Sequence, residues 1–102
     1  MKVRLSRRSE TDLEDIGDYI AADSPLAAIR FIRELRAVCE KIGQMPTAYR
    51  SRSELLDGLR SCAFRRYAIF FVIRHDEVLI LRVVHAARDI TPDNFESMGD
   101  LE

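Results

Sequence analysis

The run from Leu59 to Ile90 constrains the fold of this chain more than any other stretch. Two segments, Tyr67–Arg74 and Glu77–His85, flank a polar break at His75-Asp76, and neither contains Gly or Pro. Both are dense in Ile, Val, Leu and Phe, the composition of paired strands joined by a two-residue turn. Leu59–Phe64 precedes them and supplies the third strand of an antiparallel meander. Strict alternation along the hairpin puts Tyr67, Ile69, Phe71, Ile73, Val78, Ile80, Arg82 and Val84 on one face. It puts Ala68, Phe70, Val72, Leu79, Leu81, Val83 and His85 on the other, with Arg66, Arg74 and Glu77 at the ends. A sheet with one wet face would show a polar row, and neither face has one. Both faces therefore need cover. Arg82, among apolar neighbours, needs a carboxylate partner, because an unpaired buried charge is costly.

The chain before the meander supplies cover for one face. Lys2–Leu5 alternates and reads as a first strand. Ser6 is an N-cap for a helix from Arg7 to about Ala21, with Leu13, Ile16 and Ile20 as its apolar stripe. Gly17 lies on the same side and costs about 1 kcal/mol relative to Ala in a helix, a cost that a close helix–helix approach would explain. The acids Glu10, Asp12, Glu14, Asp15 and Asp18 fall mostly off the stripe. Ser24-Pro25 starts a second helix, expected to run to about Gly43, where the glycine would act as the C-cap. Its stripe is Ala28, Phe31, Ile32, Leu35, Val38, Cys39 and Ile42. Two helices joined so tightly form an antiparallel hairpin.

Gln44–Gly58 carries few helix or strand signals and closes on the turn pair Asp57-Gly58. Residues 91–102 read as an acidic tail, either a short helical turn or frayed chain, beyond a single domain over residues 1–90. The fold class is therefore α+β, with an N-terminal strand, an αα-hairpin and a three-stranded antiparallel meander. With helices on one face only, the other apolar face is expected to lack cover from this chain, and such a patch marks a partner site.

Composition narrows the partner. The net charge is −1, so no global field favours nucleic acid or membrane. The charge is unevenly spread: residues 1–23 sum to −2, residues 24–88 to +6 and residues 89–102 to −5. Of the 16 basic residues 14 are Arg, which suits forked contacts to carboxylates or phosphates. No apolar run is long enough for a transmembrane helix, and the N-terminus lacks the apolar core of a signal peptide, so a cytoplasmic protein is expected. Cys39 and Cys62 sit in apolar patterns without metal-ligand spacing and read as reduced buried thiols, with no metal or cofactor expected.

The order of these pieces resembles the ParE-type toxins of bacterial toxin–antitoxin pairs, within the RelE/ParE superfamily. The resemblance runs from Val3 to about Ile90. It rests on the strand ending at Leu5-Ser6, on Asp12-Leu13, Ile16 and Tyr19-Ile20, and on Ala28, Phe31 and Leu35. Met45-Pro46, Gly58-Leu59-Arg60 and the closing segment Arg82-Val83-Val84-His85-Ala86-Ala87-Arg88-Asp89 complete it. Tyr49 departs from the pattern, standing where relatives often have Gly. The resemblance implies a toxin neutralised by a ParD-like antitoxin, with DNA gyrase as target and DNA contact only through the antitoxin. RelE relatives instead cleave messenger RNA on the ribosome, and that is the alternative, beside a non-toxic interaction module.

Arg60, Arg65, His85, Arg88 and Asp89 are the candidates for the functional end. Cleavage needs basic groups at the phosphate and groups that move protons. Here Arg88 is followed by Asp89-Ile90-Thr91-Pro92, with no Tyr and no Lys, and Asp89 would repel phosphate. No single catalytic residue is expected. Arg30, Arg33, Arg36, Phe70 and Leu81 are the candidates for antitoxin contact, through an amphipathic helix plus an extended segment laid along the hairpin and the sheet.

Overall fold

The computed structural model describes residues 1–95, and the acidic remainder of the tail lies outside the described residues. The elements are β1 (Lys2–Leu5), α1 (Arg7–Ala21), α2 (Pro25–Gln44), β2 (Arg50–Ser51), β3 (Arg60–Phe64), β4 (Tyr67–Arg74) and β5 (Glu77–His85), with short 3₁₀ turns at Pro46–Ala48 and Pro92–Phe95. The sheet runs β1-β5-β4-β3-β2. β1 lies parallel to β5, and the other pairs are antiparallel. The parallel pair follows from the αα-hairpin, which carries the chain back across the sheet before the meander begins. The α+β architecture, the helix hairpin and the meander are those expected from the sequence.

Local chemistry explains the element ends. Ser6 and Ser24 cap the two helices by accepting the N–H groups of Ser9 at 3.0 Å and Ala27 at 3.1 Å. His75 and Asp76 have φ of 53° and 60°, which is the twist a two-residue hairpin needs. Gly43, expected as a C-cap, lies inside α2, which continues to Gln44. Its role is clearance instead: a Cβ there would stand 2.6 Å from the Met1 carbonyl oxygen and 2.6 Å from Val3 Cγ2. Gly17 departs from expectation the other way. Nothing lies within 4 Å of where its Cβ would be, so no close helix approach accounts for it.

The sheet has two apolar clusters, one on each face. The helix side holds Leu13, Phe31, Leu35, Cys39 and Ile42 against Cys62, Phe64, Ile69, Phe71, Val78, Ile80 and Val83. The other side holds Phe70, Val72, Leu79, Leu81 and Val84 beneath Leu55, Leu59 and Phe95, with Leu56 and Ile90 alongside. The expectation that this second face lacks cover from the chain is therefore wrong. Leu55 and Leu59 come from the connection before β3, and Phe95 from the 3₁₀ turn past residue 90, where its ring meets Phe70 at 5.3 Å. Three large side chains close the face without any periodic pattern.

Strict alternation fails at one place. Phe70 pairs with Arg82 and Phe71 with Ile80, so Leu81 is an extra residue in a β-bulge. Beyond it the faces exchange: Val83 joins the helix-side cluster and Val84 the opposite one. Buried groups around the bulge are met from the start of α1. Ser6 donates its N–H to Ile80 O at 2.9 Å and its hydroxyl to Leu81 O at 3.1 Å. Asp12 accepts from Arg82 Nε at 2.8 Å, from Arg82 Nη2 at 3.1 Å and from the Val83 N–H at 2.9 Å. Arg82 thus has the carboxylate its position demands. The pair fixes α1 to β5 at the only register shift between β4 and β5.

Candidate functional site

The basic end of the sheet is built by the β3–β4 turn and the residues after β5. Arg65 occupies the turn with φ of 53°. Its guanidinium is ion-paired with Glu34 of α2 and lies over the Phe64 and Phe31 rings at 5.7 and 6.0 Å. Because the bulge exchanges the faces, His85 comes to the helix side, edge-on to Tyr67 at 5.4 Å. Its Nδ1 accepts the Ala87 N–H at 3.1 Å, and its carbonyl accepts the Arg88 N–H at 3.0 Å. The segment from His85 to Asp89 is exposed and held to the β3–β4 turn by the Ala86 N–H, which donates to Arg66 O at 2.7 Å.

Arg65, His85, Arg88 and Asp89 therefore belong to one end of the molecule, and Arg60 does not. It begins β3, opposite Phe71, about 13 Å along the strand from Phe64 at roughly 3.3 Å per residue. Its Nη1 donates to the Tyr49 carbonyl at 2.7 Å and to that of Thr47 at 3.4 Å. Tyr49 itself packs edge-on against Phe71 at 5.9 Å, and desolvation, helped by Cys62, pushes its phenol up from its ordinary range. Arg60 organises the connection before β2.

The five positions read as antitoxin contacts also separate. Arg30, Arg33 and Arg36 are all exposed on α2, but of these Arg36 alone lines the groove described next. Phe70 and Leu81 are each 1% exposed, sealed under Leu55, Leu59 and Phe95. A partner reaches them only if that cover moves.

Sequence reasoning missed a concavity beside β1. A groove of about 720 Å³ runs between β1 and the helix hairpin. Val3, Leu5, Leu13 and Ile32 give it apolar surface, Gly17 opens it, and Glu10, Glu14 and Asp18 line it from α1. A smaller hollow of about 160 Å³ shares Val3, Leu5 and Arg36 and extends along α2. Among the described residues no strand pairs with the outer edge of β1. One signal was available: Gly17 on the core side of a helix, with acids recurring every fourth residue beside it.

Comparison with known proteins agrees with this architecture. The family described as "ParE toxin of type II toxin-antitoxin system, parDE" matches residues 3–90. Toxin ParE1 of Caulobacter vibrioides is 35% identical over 83 residues, covering 80% of this chain and 85% of that protein. A chain from the solved chromosomal ParDE system of P. aeruginosa superposes with a TM-score of 0.72 at 20% identity, covering 83% of this chain and 95% of that one, and so shares its fold. No described helix is long and apolar enough to cross a membrane. The family match over the whole α+β unit makes this chain a member of the ParE toxin family of type II toxin–antitoxin systems.

Proposed function

We propose that the chain is a cytoplasmic toxin neutralised by a ParD-like antitoxin, and that it acts by binding DNA gyrase without cutting RNA. One observation carries the second half of this reading. The basic groups that would serve phosphodiester cleavage do not converge: Arg60 is spent on two backbone carbonyls at one end of β3, and Arg65 on Glu34 at the other. The exposed candidates that remain are His85, Arg88 and Asp89; His85 has its Nδ1 engaged by the Ala87 N–H, and one imidazole beside an Arg and an Asp suits orientation and ion pairing with a protein surface better than a paired acid and base. For the first half, family membership implies an antitoxin partner, and an open groove with apolar surface and charged rims suits a peptide segment. DNA contact is then made by the antitoxin.

The test places the purified chain with gyrase in a supercoiling assay and, separately, with translating ribosomes. Inhibited supercoiling with intact messenger RNA is expected, and Arg88→Ala should weaken the inhibition about tenfold if an exposed charged contact is lost. Messenger RNA cleavage that Arg88→Ala abolishes, with gyrase unaffected, would assign the chain to ribosome-dependent ribonucleases. No effect in either tube, with a partner still bound, would leave a non-toxic interaction module.

A further inference from the structure

We infer that Arg65 exchanges carboxylates: in the free chain Glu34 holds its guanidinium, and on target binding it passes to an acidic side chain of the target protein. The inference rests on the reading that the chain acts by binding gyrase, and it names the chemistry of the surface that is bound.

The backbone at Arg65 is the starting observation. Arg65 and Arg66 form the two-residue turn between β3 and β4, and Arg65 has φ of 53°. Gly adopts that region freely, whereas any residue with a Cβ is disfavoured there. An arginine in this position calls for a use of its side chain. The ion pair with Glu34 does not supply it, since the two side chains are 55% and 49% exposed. A pair that exposed contributes little to stability and is open to displacement.

What the fold does fix is the place of the guanidinium, over the Phe64 and Phe31 rings. Phe31 packs on Phe64 at 5.2 Å and on Tyr67 at 5.3 Å, and Tyr67 in turn meets His85. This aromatic floor holds the cation by its flat face. Its edge N–H groups are left to whichever carboxylate is offered.

The surroundings favour a carboxylate from outside. Of the two acids of α2, Glu40 lines the hollow beside β1, and Glu34 alone meets the β3–β4 turn. Arg66 and Arg88 are exposed at the same end, and neither makes an ion pair among the described residues. Three arginines against Glu34 and Asp89 leave this end positive, so it attracts an acidic surface. The guanidinium fork already accepts a carboxylate, which selects a protein surface over a phosphate backbone.

The test titrates gyrase, free of DNA, with the purified wild-type chain, Glu34→Gln, Arg65→Gly and the double variant, and records the thermal midpoint of each. Gly suits the φ of the turn, so Arg65→Gly removes the side chain and keeps the backbone. Glu34→Gln should bind about two- to fivefold tighter, the worth of one exposed ion pair, with no rise in its midpoint. Arg65→Gly should bind about tenfold weaker. The double variant should match Arg65→Gly, because the gain from Glu34→Gln acts only through Arg65. Glu54→Gln breaks the exposed Arg52–Glu54 pair elsewhere and is the charge-matched control, expected within about twofold of wild type. Should Arg65→Gly be unstable, Glu34→Gln against Glu54→Gln carries the comparison. Binding by Glu34→Gln that equals or falls below wild type would overturn the inference and leave gyrase as the target. A gain that survives Arg65→Gly, or that Glu54→Gln shares, would overturn it as a general effect of charge. Binding of duplex DNA alone, tightened by Glu34→Gln, would assign the fork to phosphate instead. No gyrase binding by the wild-type chain would overturn that reading and this inference together.

Discussion

The two faces of the sheet are equally dry and are closed in unlike ways. On the helix side, α1 and α2 lay continuous stripes over β3, β4 and β5, so many residues share the work. On the other side, Leu55, Leu59 and Phe95 come from a connection and a 3₁₀ turn, with Leu56 and Ile90 packed alongside. The first arrangement writes a period into the sequence. The second needs only a few large side chains on backbone that other bonds hold in place: the Arg52 N–H donates to Leu59 O at 2.7 Å, the Leu55 N–H to Arg52 O at 3.0 Å and the Leu59 N–H to Leu56 O at 3.0 Å. A face can thus be sealed without leaving any pattern that periodicity would detect.

The largest expected effect lies where α1 meets the bulge. Asp12 and Arg82 are buried together, at 6% and 5% exposure. Asp12→Ala leaves the guanidinium without its carboxylate and the Val83 N–H without its acceptor, and should destabilise the fold by about 3–5 kcal/mol. Asp12→Asn keeps an acceptor for that N–H and should lose less. Chemical denaturation of the three proteins measures the difference. A loss under about 1 kcal/mol in Asp12→Ala would mean that apolar packing alone positions α1 on β5.

Phe95→Ala probes the other face, at about 3 kcal/mol. That is the low end for a buried Phe, because a short turn near the end of the described chain can partly readjust. The variant should also bind a hydrophobic dye, since Phe70 and Leu81 lose their cover, whereas Asp12→Ala at moderate denaturant-free stability should not. A loss below about 1 kcal/mol with no dye binding would show that Leu55 and Leu59 close the face without help.

These unequal faces also explain what could be read from the sequence. The helix hairpin, the capping serines, the two-residue turn at His75-Asp76 and the need of Arg82 for a carboxylate were all legible, because each is local or follows from a single burial argument. The bulge was not. One extra residue at Leu81 obeys no composition rule, yet it moves His85 and Val83 to the helix side and Val84 away from it. The cover over Phe70 and Leu81 was illegible for the reason already given, and so both looked like open contact residues. Charge alone groups Arg60 with Arg65, although four residues of strand lie between them. The groove was half legible: Gly17 was noticed as costly, but a missing side chain explains itself only once its surroundings are known.

The smallest effect separates the faces by pH. Both cysteines lie in the helix-side cluster, and the second cluster contains no ionisable side chain among the described residues. Burial, with the neighbouring Cys62 adding to it and Arg36 opposing, pushes the Cys39 thiol up from 9.0 to about 11. Burial pushes Cys62 up as well. A thiol held protonated in the fold keeps its proton while the unfolded chain has lost it, so between these values the unfolded state binds fewer protons and stability falls as pH rises. The contribution is complete below about pH 9 and is lost as pH approaches 11, amounting to about 2–3 kcal/mol at roughly 1.4 kcal/mol per pH unit. Every other ionisable group is common to the wild type and to Cys39→Ala, so the difference between the two proteins isolates the thiol. At neutral pH Cys39→Ala should be the less stable protein, having lost a packed sulfur. Thermal midpoints followed by circular dichroism from pH 8 to 11 should then converge or cross, and Phe95→Ala should keep the alkaline slope of the wild type. A gap between wild type and Cys39→Ala that stays constant across that range would show that the helix side yields to alkali no sooner than its ionisable-free counterpart.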